Sequence, residues 1–376
     1  MLSHFSSGKK ESTGIYSYDL RHPKVETFFN NLHYMIDSVM RRLMIQLIKI
    51  GISALLIWFL LKRIGAETLW QNLRQVQPFW FLMALSLFTI SHFLGSFQWW
   101  RMMKAQKLKI SYSKTLSFYF TGLFFNNLLI GGIGGDVYRM MDVRRVASNT
   151  TAAVSTVFMD RMAGLLVISG MAVLTSPYLI LRSEIGGSLS LVYLTIVCAW
   201  VLILCFLFIR RFARLFSWLI RKILPQTLHI RVRDVYNSIY WLGHHRLFAE
   251  VLIISFWVQS ARILMHYLLA LALGSTVSVI YFFLFVPIIA IIASLPISLG
   301  GIGMREQTGV LLFAMAGMAG SDAFTMEFLA FIVAVLSGLP GGILFILRKQ
   351  GRESRNKNQE TRIKIKDYGK LIIFHL

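Results

Sequence analysis

The sequence predicts an all-α integral membrane protein with about six full transmembrane helices and two glycine-broken re-entrant hairpins, eight membrane segments arranged as an inverted repeat. Three observations predict it. Apolar residues make up 56% of the 376 and charged residues only 15%, a composition unlike that of a water-soluble globule. The apolar residues are gathered into runs of about 20, the length a helix needs to cross about 30 Å of hydrocarbon. The basic residues alternate from loop to loop as the positive-inside rule describes.

Six runs are long enough to span: 43–61, 79–97, 163–181, 189–209, 251–273 and 324–347. None alternates in and out at every second residue, which excludes the strands of a membrane barrel. Residues 1–42 are mixed and polar without an apolar core, so they read as a cytoplasmic arm, and the first span is expected to remain as an anchor. The net charge of +22 raises nucleic acid as a partner, and the placement of the charge argues against it. Segments 1–42, 100–114, 136–162, 210–247 and 348–376 hold 32 of the 39 Lys and Arg, whereas 62–78, 182–188, 274–278 and 317–323 hold four. This puts both termini and the 210–247 loop in the cytoplasm, with the plasma (inner) membrane as the expected location. Anionic lipid headgroups are the expected partners of the basic surface, at about 1 kcal/mol per Lys or Arg. The loop 210–247 mixes aromatic and basic residues and is expected to lie flat in the inner interface. Cys198 and Cys205 stand seven residues apart on one span, about 10 Å along its axis and too far to bridge.

Charge also places the hairpins. The segment 115–149 lies between two positive-rich loops and must leave on the side it entered. After an apolar arm it reaches Gly131, Gly132, Ile133, Gly134 and Gly135, where four glycines let the backbone turn at a depth that tolerates non-helical chain only inside protein or beside water. The segment 279–316 lies between two loops without positive charge, contains Pro287 and Pro296, and turns at Gly300, Gly301, Ile302 and Gly303. The tetrapeptide Gly-Gly-Ile-Gly thus recurs at an offset of 169, and the neighbouring spans repeat at similar offsets. Three crossings per half would insert the second half (182–347) upside down relative to the first (43–181), the plan of many transporters whose interrupted helices mark a midplane substrate site.

The ordered motifs Asn126 to Arg139, Met159-Asp160-Arg161 and Pro296 to Glu306 resemble the membrane region of lysylphosphatidylglycerol synthases and the wider flippase-like family around it, over roughly residues 43–347. The resemblance implies a lipid or lipid-linked substrate moved between leaflets, or presented to a lipid-modifying enzyme partner. Two departures stand out. Ile130 occupies the place where the family commonly has proline before the first glycine pair. Only 29 residues follow Leu347, so no aminoacyl-transferase domain, and no lysyl transfer, is expected of this chain.

Ionisable groups inside a membrane cost roughly 2.5–3.5 kcal/mol each, which makes them candidates for function. Asp136 and Arg139 follow the first glycine turn, and Arg305 and Glu306 follow the second. An arginine there suits a lipid phosphate, and a carboxylate suits holding the arginine or taking up a proton; local ion pairs or helix caps are the alternative. Asp160 and Arg161 start the third span, and being adjacent they point in different directions. Arg262 and His266 share one face of the fifth span with Gln259. Asn126 and Asn127 are placed to satisfy freed backbone or to touch a headgroup. His92 reads as a residue bonded between helices. No P-loop, H-E-x-x-H, metal-ligand spacing or dinucleotide fingerprint occurs, so neither cofactor, metal nor catalytic residue is assigned. Oligomerisation is left open. The resulting expectation is a translocator of an anionic phospholipid or polyprenyl-phosphate-linked lipid, with a membrane-embedded headgroup transferase or a lipid-presenting partner as alternatives.

Overall fold

A computed structural model describes residues 65–128, 134–181, 233–240, 246–294 and 302–374, with isolated helical positions between 55 and 62 and between 191 and 202. Side chains are described to Tyr178 and Arg348 in the two longest helices. Apart from those positions, the predicted spans 43–61 and 189–209, most of the 210–247 loop, and Gly131, Gly132, Pro296, Gly300 and Gly301 lie outside the described residues.

Every element among the described residues is a helix. In chain order they are α1 (Ala66–Gln75), α2 (Pro78–Ala105), α3 (Tyr112–Leu128), α4 (Gly134–Ala147), α5 (Thr150–Leu181), α6 (Leu247–Ala272), α7 (Val279–Ala293), α8 (Met304–Met315) and α9 (Gly320–Phe374). Four are long and apolar enough to cross a membrane: Pro78–Ala105, Thr150–Tyr178, Leu247–Ala272 and Gly320–Arg348. They correspond to four of the six predicted spans. The predicted tail from 348 continues α9 as helix to Phe374.

Local chemistry sets the ends. Pro78 occupies the first turn of α2, where its missing N–H has no intrahelical partner to lose. Asn149 caps α5, its Oδ1 accepting the Ala152 N–H at 2.9 Å, as side chains of this type do at N-caps. The helix therefore begins well before the apolar run at 163, and Asp160 and Arg161 lie about three turns inside it rather than at its start. Just before α8 the chain passes through Gly303 at φ +85°, a conformation a Cβ disfavours. Glu306 then accepts the Gly303 N–H at 2.6 Å and satisfies a donor that the start of α8 would otherwise leave unpaired.

The order long, short, short, long occurs twice, as α2–α5 and as α6–α9. Packing repeats in the same way. Helices α2 and α6 pair with each other; α3 lies on α9 as α7 lies on α5; α4 lies on α5 as α8 lies on α9. The pairs α2–α3, α2–α5 and α2–α9 likewise match α6–α7, α6–α9 and α6–α5. Each short helix after a long one thus seats against the last long helix of the other half. Fully buried Phe282, Phe285 and Phe313 tie α7 to α8 with ring centroids 4.8 and 5.3 Å apart. Outward positions such as Phe79, Leu174, Ile253, Trp257 and Ile343 are exposed and apolar, as a lipid-facing surface requires.

Candidate functional site: a charged network behind a cationic cavity

The site starts from two glycines. Gly122 on α3 and Gly135 on α4 bring the helices into backbone contact, so close that a Cβ on Gly135 would strike the Gly122 carbonyl oxygen. Asn126, one turn further along α3, accepts the Gly135 N–H at 2.8 Å, which satisfies an amide freed at the helix start. This approach turns the next polar residues of α4 inward, and Asp136 and Arg139 are both buried.

They meet α5. Asp136 receives two parallel bonds from Arg161, from Nε and from Nη2, each 2.8 Å. Arg139 donates through Nη2 to Asp160 at 2.9 Å, and its Nη1 stands 3.6 Å from Asp136. Gln98 on α2 donates to the other Asp160 oxygen at 3.1 Å and accepts from Ser255 on α6 at 2.8 Å. The Arg139 guanidinium also lies over the rings of Trp99 and Tyr119, 4.1 and 4.7 Å from their centroids. Such pairing is what lets charges persist in a low-dielectric interior, because an unpaired buried ion costs several kcal/mol. Helices α2, α4, α5 and α6 are fastened together by the hydrogen bonds of this network, and α3 joins it through the Tyr119 ring.

In front of it opens a cavity of about 270 Å³ with walls from both halves. Three guanidinium groups line it, those of Arg161, Arg262 and Arg305, together with His92, His266, Asn126 and Asn127. No carboxylate is among its described lining residues. Arg161 keeps 45% of its side-chain surface accessible even while paired with Asp136, because it faces this space. Asn127 donates to the Ala334 carbonyl of α9 at 2.7 Å. His266 contacts the Arg262 carbonyl through Nδ1 at 2.9 Å.

Of the residues singled out in the sequence, Asn126, Asn127, Arg161, Arg262, His266 and Arg305 come together at the cavity. Asp136, Arg139 and Asp160 stand one layer behind. Glu306 does not line it and is spent on capping α8, so Asp136 and Glu306 do not meet there. His92 holds Ser337 at 3.3 Å and also lines the cavity. Sequence reasoning missed Gln98, Trp99 and Tyr119, which lie in otherwise apolar helices, and it missed Glu327. That carboxylate is completely buried two turns into α9, but in the sequence it sits so near the start of the last apolar run that it reads as a boundary residue.

The TM region of lysylphosphatidylglycerol synthases matches residues 46–343, a stretch that takes in α1 to α8 and most of the apolar part of α9. A UPF0104 membrane protein of Pyrococcus horikoshii is 22% identical over 343 residues, an alignment spanning 83% of this chain and 98% of that protein. With most of its length matched in one continuous stretch, the chain belongs to the lysylphosphatidylglycerol synthase transmembrane-region family.

Proposed function

We propose that the protein moves a phosphate-bearing anionic lipid, an anionic phospholipid or a polyprenyl-phosphate-linked lipid, between the leaflets of the plasma membrane. The observation that carries this reading is the cavity itself: three arginines, drawn from α5, α6 and α8, converge on one space without a lining carboxylate. Guanidinium forks match phosphate oxygens in geometry as well as in charge. Asp136 already offsets Arg161, and holding two further guanidinium groups among apolar helices is costly unless an anion offsets them.

The plan of the two halves supports translocation. Their packing maps onto itself when the halves are exchanged, and three of the broken-helix ends, at Asn126 and Asn127 in α3, at Ala293 and Ser294 where α7 stops, and at Arg305 in α8, reach the cavity. In this reading the pairs α3–α4 and α7–α8 are re-entrant hairpins of an inverted repeat, and access alternates as one half rocks against the other. The loop charges put both termini in the cytoplasm and basic segments against anionic headgroups. Presentation of the lipid to a membrane enzyme would use the same cavity.

The test is reconstitution into vesicles with labelled lipids. Leaflet exchange without covalent change is expected; a new lipid product would instead indicate a headgroup transferase, and neither outcome a lipid-presenting partner. Losing one hydrogen bond to a charged group costs about 1.5–3 kcal/mol. Arg262→Ala or Arg305→Ala is therefore expected to slow exchange about ten- to a hundredfold.

A further inference from the structure

Behind the cavity wall lies a carboxylate that the anion site does not use. Glu327 on α9 is completely buried, and neither of its oxygens has a hydrogen-bond partner. Gly309 of α8 packs flat against its stem, so that a Cβ there would come within 2.7 Å of Glu327 Cγ. Nε2 of His266 lies 3.6 Å from Oε2.

The tautomer of His266 decides what that contact means. Its Nδ1 lies 2.9 Å from the Arg262 carbonyl oxygen, which only accepts, so Nδ1 carries a hydrogen and donates. In a neutral imidazole Nε2 is then a bare lone pair aimed at a carboxylate, an acceptor facing an acceptor in a low-dielectric interior. One additional proton between Nε2 and Oε2 turns the clash into a hydrogen bond. The other groups around Glu327 do not supply it. On α8 Glu306 is held by Gly303, and Arg305 opens to the cavity, as do Arg262 on α6 and His92 on α2. Helices α1 and α3 meet α9 through the neutral Asn72, Asn127 and Thr121, and Asp142 of α4 is held by Arg348, 21 residues beyond Glu327 along α9.

We infer that Glu327 and His266 together form a proton-binding site that couples proton movement to the lipid anion. The inference rests on the translocation reading and deepens it. His266 lines the cavity while Glu327 does not, so the proton enters from the cavity at the imidazole, is shared with Oε2, and returns to the cavity by the same route. One proton carried with one phosphate charge makes the moving load neutral, which lowers the cost of bringing it across hydrocarbon.

Two measurements test it. In vesicles, an imposed proton gradient is expected to change the rate of lipid exchange by the wild type, and Glu327→Gln is expected to lose that response whatever its absolute rate. Glutamine fits the same space and its amide donates to Nε2, so the helix packing is retained. A wild type indifferent to the gradient, or a variant that still responds, overturns the inference. Infrared titration of the detergent-solubilised protein reads the proton without any transport. A carboxylic-acid or imidazolium band present at neutral pH, lost on alkaline titration and absent from Glu327→Gln, is expected; spectra in which neither band depends on Glu327 refute the site. If the wild type exchanges no lipid at all, the translocation reading falls, and the infrared result alone decides whether the proton is there.

Discussion

Asp136 and Asp160 each hold an arginine across the α4–α5 contact, yet removing their charges is expected to have unequal consequences. Asp160→Asn takes the carboxylate from Arg139, whose side chain is 4% exposed; what remains is a 3.6 Å contact with Asp136 and the two aromatic rings. A buried arginine stripped of its partner costs about 3–5 kcal/mol, at the low end here because the asparagine oxygen still accepts one bond. Asp136→Asn takes the carboxylate from Arg161, which is 45% accessible toward the cavity and can be solvated there. Arg139 meanwhile keeps Asp160 at 2.9 Å. Exposed pairs contribute about 0.2–1 kcal/mol, and with the buried side of Asp136 included the loss comes to about 1–2 kcal/mol. The assay is chemical unfolding of both variants in one detergent, followed by circular dichroism. Asp160→Asn should unfold first, by about 1–2 kcal/mol. Equal losses, or a larger loss for Asp136→Asn, would refute the argument that burial of the arginine decides the cost.

Three other outcomes are expected. Gly135→Ala should abolish folded yield, since its Cβ meets the Gly122 carbonyl oxygen, whereas Gly170→Ala, with nothing within 4 Å of the new methyl, should be neutral or gain up to about 1 kcal/mol from helix propensity; thermal unfolding compares them. Glu306→Gln should keep the α8 cap and change stability by less than about 1 kcal/mol, while Glu306→Ala, which leaves the Gly303 N–H unpaired, should cost about 1–3 kcal/mol. Reporters fused after Ile209 and after Leu347 should score cytoplasmic and one within 317–323 external; an external score for either of the first two removes the support that loop charge gives to an inverted repeat.

Long apolar helices were legible because hydropathy over about 20 residues is a property of composition, and a lipid-facing surface tolerates little else. Their ends were not. The polar first turns of α5, from Thr150 to Arg161, belong to the same helix as the apolar run but pack against α2 and α4, where polar side chains find partners. Hydropathy therefore starts the helix too late, and the cap that fixes its start is a single asparagine. Glu327 lies inside the predicted run 324–347, but within a turn of its start, where a carboxylate reads as a boundary residue.

Charged candidates were legible as residues and not as a site, and the reason is geometric. Arg161 and Asp160 are neighbours in sequence but face opposite partners, one toward Asp136 and the cavity and the other toward Arg139 and Gln98. Spacing along the chain says that two adjacent helical residues diverge; only the close approach of Gly122 and Gly135 fixes what each one meets. That approach has a consequence for movement. Because Asp136 and Arg139 sit on α4 while their partners sit on α5, any motion that changed the angle between these helices would break two ion pairs at once, one of them buried on both sides, at a cost of several kcal/mol. In the proposed translocation the α4–α5 unit would then move as one piece, and the freedom to open the cavity would fall on the contact of apolar α7 with α5, where no ion pair joins the described residues.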